Sequence, residues 1–221
     1  MTKKVGVLLS GCGVKDGSEI HESVIVLLAI DRGGATPMFM APNINQTSVI
    51  NHLNGKVSEG EQRNVLAESA RIARGNITDL KNVHATDFDA LILPGGFGAA
   101  ANLSDFGVKG ENCHVEPEVS RIMRETLKAK KPIGVICIAP AIMAKMAQEA
   151  GIKIKLTIGN DSGTAAKLKA MGIEHIECPV TEIVIDKVHK IVSTPAYMLA
   201  NRISEAATGI EKLVSAVIDL A

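Results

Sequence analysis

Lys131-Pro132-Ile133-Gly134-Val135-Ile136-Cys137-Ile138-Ala139-Pro140-Ala141 holds a complete strand, turn and helix start in eleven residues. Pro132 to Ile136 is an apolar run of strand length, which suits a strand buried on both faces. It stops at Cys137. Pro140 then opens a helix to about Ala150, since a proline in the first helical turn loses no needed N–H. The small residues around Cys137 allow a sharp turn, so the thiol stands at the carboxyl edge of the sheet. Such a turn has the spacing of a nucleophile elbow, with cysteine in place of serine and an incomplete glycine pattern. The helix start behind the thiol is expected to favour a thiolate.

Working outward, other strands carry the same apolar character. Lys4 to Leu9 is one, followed by the glycine-rich turn Gly11 to Gly17. Ser18 is expected to cap a helix that starts near Glu19 and ends at Gly33-Gly34. Thr36 to Met40 is a second strand. Pro42 to Gly60 is polar and reads as an insertion, with Asn54-Gly55 as the tight turn of a hairpin. Glu61 to Ala73 reads as a helix. Ala90 to Leu93 is a buried strand that runs into Pro94-Gly95-Gly96-Phe97-Gly98. Glu116 to Ala129 is a helix. Lys155 to Ile158, Val180 to Ile185 and Val188 to Val192 read as strands, the last two joined by a turn at Asp186-Lys187. Asp161 to Met171 reads as a helix, and so does Asn201 to Leu220, with an interruption near Gly209.

Alternating apolar strands and helices predict an α/β fold with a mostly parallel sheet covered on both faces, formed by one domain over residues 1–221. Ligands in such sheets bind beyond the carboxyl ends of the strands. Gly11 to Glu22, Gly95 to Gly98 and Cys137 to Pro140 are expected to meet there.

Composition narrows the partners. Lys+Arg and Asp+Glu both number 24, which gives no basis for a nucleic-acid or anionic-membrane partner. Aromatic residues make up only 2%, so stacking platforms are few. The N-terminal apolar run is too short for a signal peptide or a membrane span, and the expectation is a cytoplasmic protein. Four cysteines, widely spaced and without a CxxC pair, read as thiols and give no zinc signature. Neither glycine-rich turn reproduces a P-loop or a dinucleotide fingerprint, so no cofactor and no metal are expected.

Four residues form the candidate site. Cys137 is the nucleophile. The backbone N–H groups of Gly96 and Ile138 are placed to hold an oxyanion. Glu22, one turn into the first helix, would be protonated if brought against the thiol, since burial and a nearby negative charge both favour the neutral acid. His52, in the polar insertion, is a further candidate for the pocket.

These stretches together resemble the PfpI-like superfamily, which shares the flavodoxin-like fold of class I glutamine amidotransferase domains. They are similar above all to its ElbB-like branch, named for enhancing lycopene biosynthesis. The resemblance runs through SGCGVKDGSEIHES at 10–23, VINHLNG at 49–55, LILPGGFGAAANLSDF at 91–106, KPIGVICIAPA at 131–141, LTIGND at 156–161 and IVSTPAYMLA at 191–200. It implies a flavodoxin-like three-layer sandwich, Cys137 as the elbow nucleophile and Glu22 as its protonated partner. It also implies a glutathione-independent glyoxalase, a lyase of the hydro-lyase type, that turns a small dicarbonyl, glyoxal, into glycolate. A homodimer is implied as well. The alternative is a non-enzymatic redox-sensing or regulatory protein related to isoprenoid metabolism. Amidotransferases carry a late histidine where this chain reads Ser193-Thr194-Pro195-Ala196-Tyr197, and peptidase members have histidine where this chain has Ile138. Both chemistries lose their base.

Overall fold

The computed structural model describes residues 2–221. β1 (Lys4–Leu8) leads through a glycine-rich loop into α1 (Ile20–Arg32) and then β2 (Thr36–Ala41). A small antiparallel hairpin follows, β3 (Ile50–Asn51) with β4 (Lys56–Val57), then α2 (Val65–Ile72), β5 (Thr78–Asp79) and β6 (Ala90–Leu93). Two short helices, α3 (Phe97–Ala101) and α4 (Phe106–Lys109), precede α5 (Pro117–Lys128), β7 (Ile133–Ile136) and α6 (Pro140–Ala150). The chain continues through β8 (Lys155–Leu156), α7 (Ser162–Ala170), β9 (Glu174–His175), β10 (Val184–Asp186), β11 (Ile191–Thr194) and α8 (Ile203–Leu220).

Seven strands form the central sheet in the order β10-β11-β7-β6-β1-β2-β5. Every pair in it is parallel except β10 with β11. Alternate side chains along each strand supply two cores. Leu8, Leu91, Leu93, Ile133 and Val135 face Ile122 and Met123 of α5 and Met143 and Met146 of α6. Val5, Val7, Ile92, Ile136 and Val192 face Val26 and Ile30 of α1 and Ile210, Leu213 and Val217 of α8. The alternating pattern predicts the mostly parallel sheet covered on both faces, and the architecture is the flavodoxin-like three-layer sandwich that the resemblance implies. β1 is flanked by β2 on one side and β6 on the other, so the chain reverses its direction across the sheet beside β1. The crevice at such a reversal is where open α/β sheets bind ligands.

Several element boundaries differ from the sequence reading. Ser18 does not cap α1. Its hydroxyl accepts from the Ser10 N–H at 2.8 Å, and the Glu19 carboxylate caps the helix by accepting from the Glu22 N–H at 2.7 Å. α2 starts at Val65 rather than Glu61, because Asn64 caps it through the Ala67 N–H at 3.0 Å and Arg63 is tied to Gln46. The strand expected over 155–158 is cut to two residues. It pairs in parallel with β9 and stays out of the central sheet, because two of its N–H groups turn to side chains there: Lys155 donates to Asp186 at 3.0 Å and Thr157 to the Ser193 hydroxyl at 3.0 Å. Pro179 and the turn after it delay β10 to Val184. The connection to β11 occupies residues 187–190, with Lys190 at φ +55°, and β11 starts only at Ile191. α8 runs unbroken through Gly209. That glycine marks a close approach: a Cβ there would lie 2.4 Å from the Val180 carbonyl oxygen.

Candidate active site

Four loops at the carboxyl ends of β1, β6, β7 and β11 converge. The first two are tied backbone to backbone: Glu19 N–H to Gly95 O at 2.9 Å, Gly98 N–H to Gly17 O at 2.9 Å and Phe97 N–H to Val14 O at 2.8 Å. No side chain fits between them. A Cβ on Gly96, which sits at φ +98°, would fall 2.3 Å from the Glu19 nitrogen.

Cys137 follows the last residue of β7 and takes φ +61°. The left-handed region is costly for a residue with a Cβ, and such strain persists only where surrounding contacts enforce it. Here they do: the Cys137 N–H donates to Thr194 O at 3.0 Å, the Ala139 N–H to Ile136 O at 3.0 Å, and Pro140 opens α6 immediately. The side chain is therefore aimed across the ends of the strands toward α1.

Glu22 is fully buried in the first turn of α1. Its Oε2 accepts from the Gly95 N–H at 2.8 Å and its Oε1 from the Tyr197 N–H at 3.2 Å. The carboxyl lies beside the Cys137 thiol, close enough for its charge to act on the sulfur. A Cβ on Gly95 would lie 2.4 Å from the Cys137 Cβ and 2.6 Å from Glu22 Oε2. Gly95 is thus the floor on which acid and thiol meet.

Burial dominates the electrostatics. It pushes the Glu22 carboxyl up to about 8, against the opposing pull of the Tyr197 and Gly95 N–H groups. Cys137 is raised well above the ordinary thiol value, first by burial and next by the charge of Glu22, while the Gly96 and Ile138 N–H groups pull it down. The expectation of a thiol lowered by the helix start is therefore reversed, because burial beside an acid outweighs the helix N-terminus. The two groups titrate as one pair, and at neutral pH that pair holds both of its protons.

Cys137, Glu22, Gly96 and Ile138 thus come together as the sequence places them. His52 does not join them. Its Nε2 accepts from the Lys15 N–H at 3.2 Å and lies 3.8 Å from Asp16 Oδ1, packed against Gly13 on the first loop and outside the lining of the cleft. Among the described residues no cluster of three or more His, Cys, Asp or Glu side chains has metal-holding geometry. No helix among them is long and apolar enough to cross a membrane.

The thiol opens into a cleft of about 390 Å³ lined by Val14, Gly96, Phe97, Phe106, Thr164, Lys167, Tyr197 and Met198 among others. Tyr197 and Lys167 are the residues that sequence reasoning missed. The Tyr197 hydroxyl pairs with His21 Nδ1 at 2.8 Å. The segment carrying Tyr197 has no histidine to mark it, and the spacing of Thr164 and Lys167, one helical turn apart on α7, is the sequence signal for the other wall.

Residues 76–187 match the model of the DJ-1/PfpI family. The Homo sapiens protein named glutamine amidotransferase-like class 1 domain-containing protein 3, mitochondrial, is 46% identical over 226 residues, covering 98% of this chain and 83% of that protein. The Rattus norvegicus ES1 protein homolog, mitochondrial, is also 46% identical over 226 residues, covering 98% of this chain and 84% of that protein. A crystal structure of an isoprenoid biosynthesis protein with amidotransferase-like domain from Ehrlichia chaffeensis superposes with a TM-score of 0.91 at 38% identity, covering 99% of this chain and 100% of that one. The cytoplasmic expectation is overturned by these relatives, whose names place them in mitochondria. It rested on the lack of a recognisable leader, which says nothing about relatives of greater length.

Proposed function

As this chain belongs to the DJ-1/PfpI family, we propose that it is a cofactor-free, glutathione-independent glyoxalase that converts glyoxal to glycolate on Cys137. The observation that carries the reading is the meeting of the buried Glu22 carboxyl and the Cys137 thiol over Gly95, with the thiol on a strained turn beside the Gly96 and Ile138 N–H groups. A glutaminase would need a base on the thiol, and the acid here is held neutral.

The pair loses its first proton from Glu22, the more acidic group, and the reactive form arises when that carboxylate takes the thiol proton and leaves the charge on sulfur. The thiolate adds to one aldehyde carbon and an S–C bond forms. The oxygen takes up the electron pair, is held by the Gly96 and Ile138 N–H groups, and receives the Glu22 proton. Glu22, now a carboxylate, removes the hydrogen from the hemithioacetal carbon as a proton. The electrons pass to the second carbonyl through an enediol, and Glu22 returns a proton to that carbon. One carbon is oxidised to a thioester and its neighbour reduced to an alcohol, so no outside oxidant is needed. Water cleaves the S–C bond and releases glycolate.

A substrate panel tests this. Glyoxal, methylglyoxal and glutamine are supplied in turn, and glycolate, lactate and ammonia are measured. Glycolate from glyoxal is expected; ammonia from glutamine overturns the assignment. In D2O, the enediol route puts deuterium on the product carbon, and its absence points to an internal hydride shift.

The name of the Ehrlichia relative favours a second reading, a non-enzymatic regulatory protein related to isoprenoid metabolism. On that reading Cys137 is oxidised by mild peroxide and no small aldehyde is turned over. The homodimer implied by the family belongs to either reading, and light scattering in the micromolar range tests it.

A further inference from the structure

The cleft in front of Cys137 is much larger than a two-carbon dialdehyde needs. At about 390 Å³ it falls in the size range that encloses a whole small organic ligand. Its walls are unequal. Phe97, Phe106 and Met198 supply apolar surface, and Lys167 is the one cation among the described lining residues.

Lys167 is an exposed residue of α7 whose side chain borders the cleft. Its stem lies along the backbone of Gly110, where the Cδ and Cε atoms would each be 3.4 Å from an added Cβ. Its Nζ sits 5.7 Å from the centre of the Phe106 ring. Among the described residues it forms no ion pair within 4.0 Å, although other lysines of the chain do, such as Lys109 with Asp105 at 2.7 Å. Asp161, which caps the same helix, is near enough for the Lys167 charge to help the Thr164 hydrogen bond lower its carboxyl, but it does not line the cleft. Its carboxylate accepts from the Thr164 N–H at 2.7 Å. The one acid among the described lining residues, Glu19, accepts from the Glu22 N–H. An exposed ammonium bordering a partly apolar cleft, with no carboxylate within 4.0 Å among the described residues, can receive the anionic end of a ligand, and charge-assisted bonds are the strong ones.

We propose that Lys167 is a specificity-determining residue and that the preferred substrate is an α-oxoaldehyde bearing a carboxylate or similar anion at the far end of a short apolar chain. This rests on the glyoxalase reading above. The aldehyde reaches Cys137, the chain lies against Phe97 and Met198, and the anion meets the Lys167 ammonium. The covalent steps are unchanged. For 4,5-dioxopentanoate the terminal aldehyde carbon becomes the acid and the neighbouring ketone the alcohol, so water addition gives 2-hydroxypentanedioate.

The experiment compares 4,5-dioxopentanoate with methylglyoxal on the wild-type protein and on Lys167→Met, which keeps the stem and removes the charge. In the wild type kcat/KM is expected to favour the anionic substrate by roughly tenfold or more, mainly through KM. In Lys167→Met that preference should collapse toward equality. An unchanged ratio overturns the proposal. A separate arm does not depend on turnover: 4-oxopentanoate should protect Cys137 from iodoacetamide in the wild type, 2-pentanone should not, and the protection should be lost in Lys167→Met. If neither dicarbonyl is turned over but this protection pattern holds, the glyoxalase reading fails and the anion site stands. Equal protection of both proteins removes the anion site.

Discussion

The Glu22 carboxyl meets the Cys137 thiol over Gly95 in a place where water reaches neither freely, and burial raises both groups together. A carboxyl with two backbone N–H donors would ordinarily be an anion. Here desolvation is the larger effect, and the acid keeps its proton up to about 8.

That value fixes a pH dependence of stability. The folded-state value is raised from 4.5 to about 8, so the folded protein binds this proton more tightly than the unfolded chain does. The stabilising contribution is complete below pH 4.5 and is lost as pH rises to about 8. The cost across that window is on the order of a few kcal/mol for one buried carboxyl. Urea midpoints of the wild type and Glu22→Gln, measured at several pH values, should diverge over that range, with the wild type losing ground as pH rises. A constant difference between the two proteins means that Glu22 is ionised throughout.

The chemistry of Cys137 should follow the pair. Because burial and Glu22 both oppose the thiolate, alkylation by iodoacetamide, followed at Cys137 by peptide mapping, should still be climbing above neutral pH. A plateau below pH 6, as for a thiol lowered by its surroundings, would show that the helix start at Pro140 outweighs burial.

Gly95→Ala separates site geometry from fold. The added methyl meets the Cys137 Cβ and Glu22 Oε2 and forces them apart. Dicarbonyl turnover is expected to fall about 10²-fold, since small displacements of reacting groups carry penalties of that size. The cost in stability should be roughly 1–3 kcal/mol, the usual range for overpacking. Steady-state kinetics beside thermal melts reads both. Full activity in a folded variant would mean that acid and thiol need not touch.

The layers of the sandwich were legible because each strand is short, apolar and followed by an unambiguous turn, as Ile133 to Ile136 is by Cys137 to Pro140. Glu22 was legible because it lies a fixed distance past β1 on a helix pointing into the crevice. The misreadings share one cause, long-range contact. Gly209 looked like a helix break, yet it is a glycine because Val180 O and Thr194 Oγ1 crowd it. The strand at Lys155 looked longer because nothing local shows that Asp186 and Ser193 intercept its N–H groups. His52 looked free to fold over the pocket, but Gly13 and Asp16 hold it on the outer side of the first loop. The direction of the Cys137 shift could not be read locally, because it depends on how completely four distant loops close over the thiol.

Glycolate formation from glyoxal by the wild type, Cys137→Ser and Glu22→Gln is the most direct test. The wild type should produce glycolate with no added glutathione or metal. Cys137→Ser should fall to background, because a hydroxyl without a general base is a weak nucleophile. Glu22→Gln should lose about 10²–10⁴-fold, the usual worth of a group that moves the proton. Folded Cys137→Ser protein that makes glycolate at the wild-type rate would contradict the account.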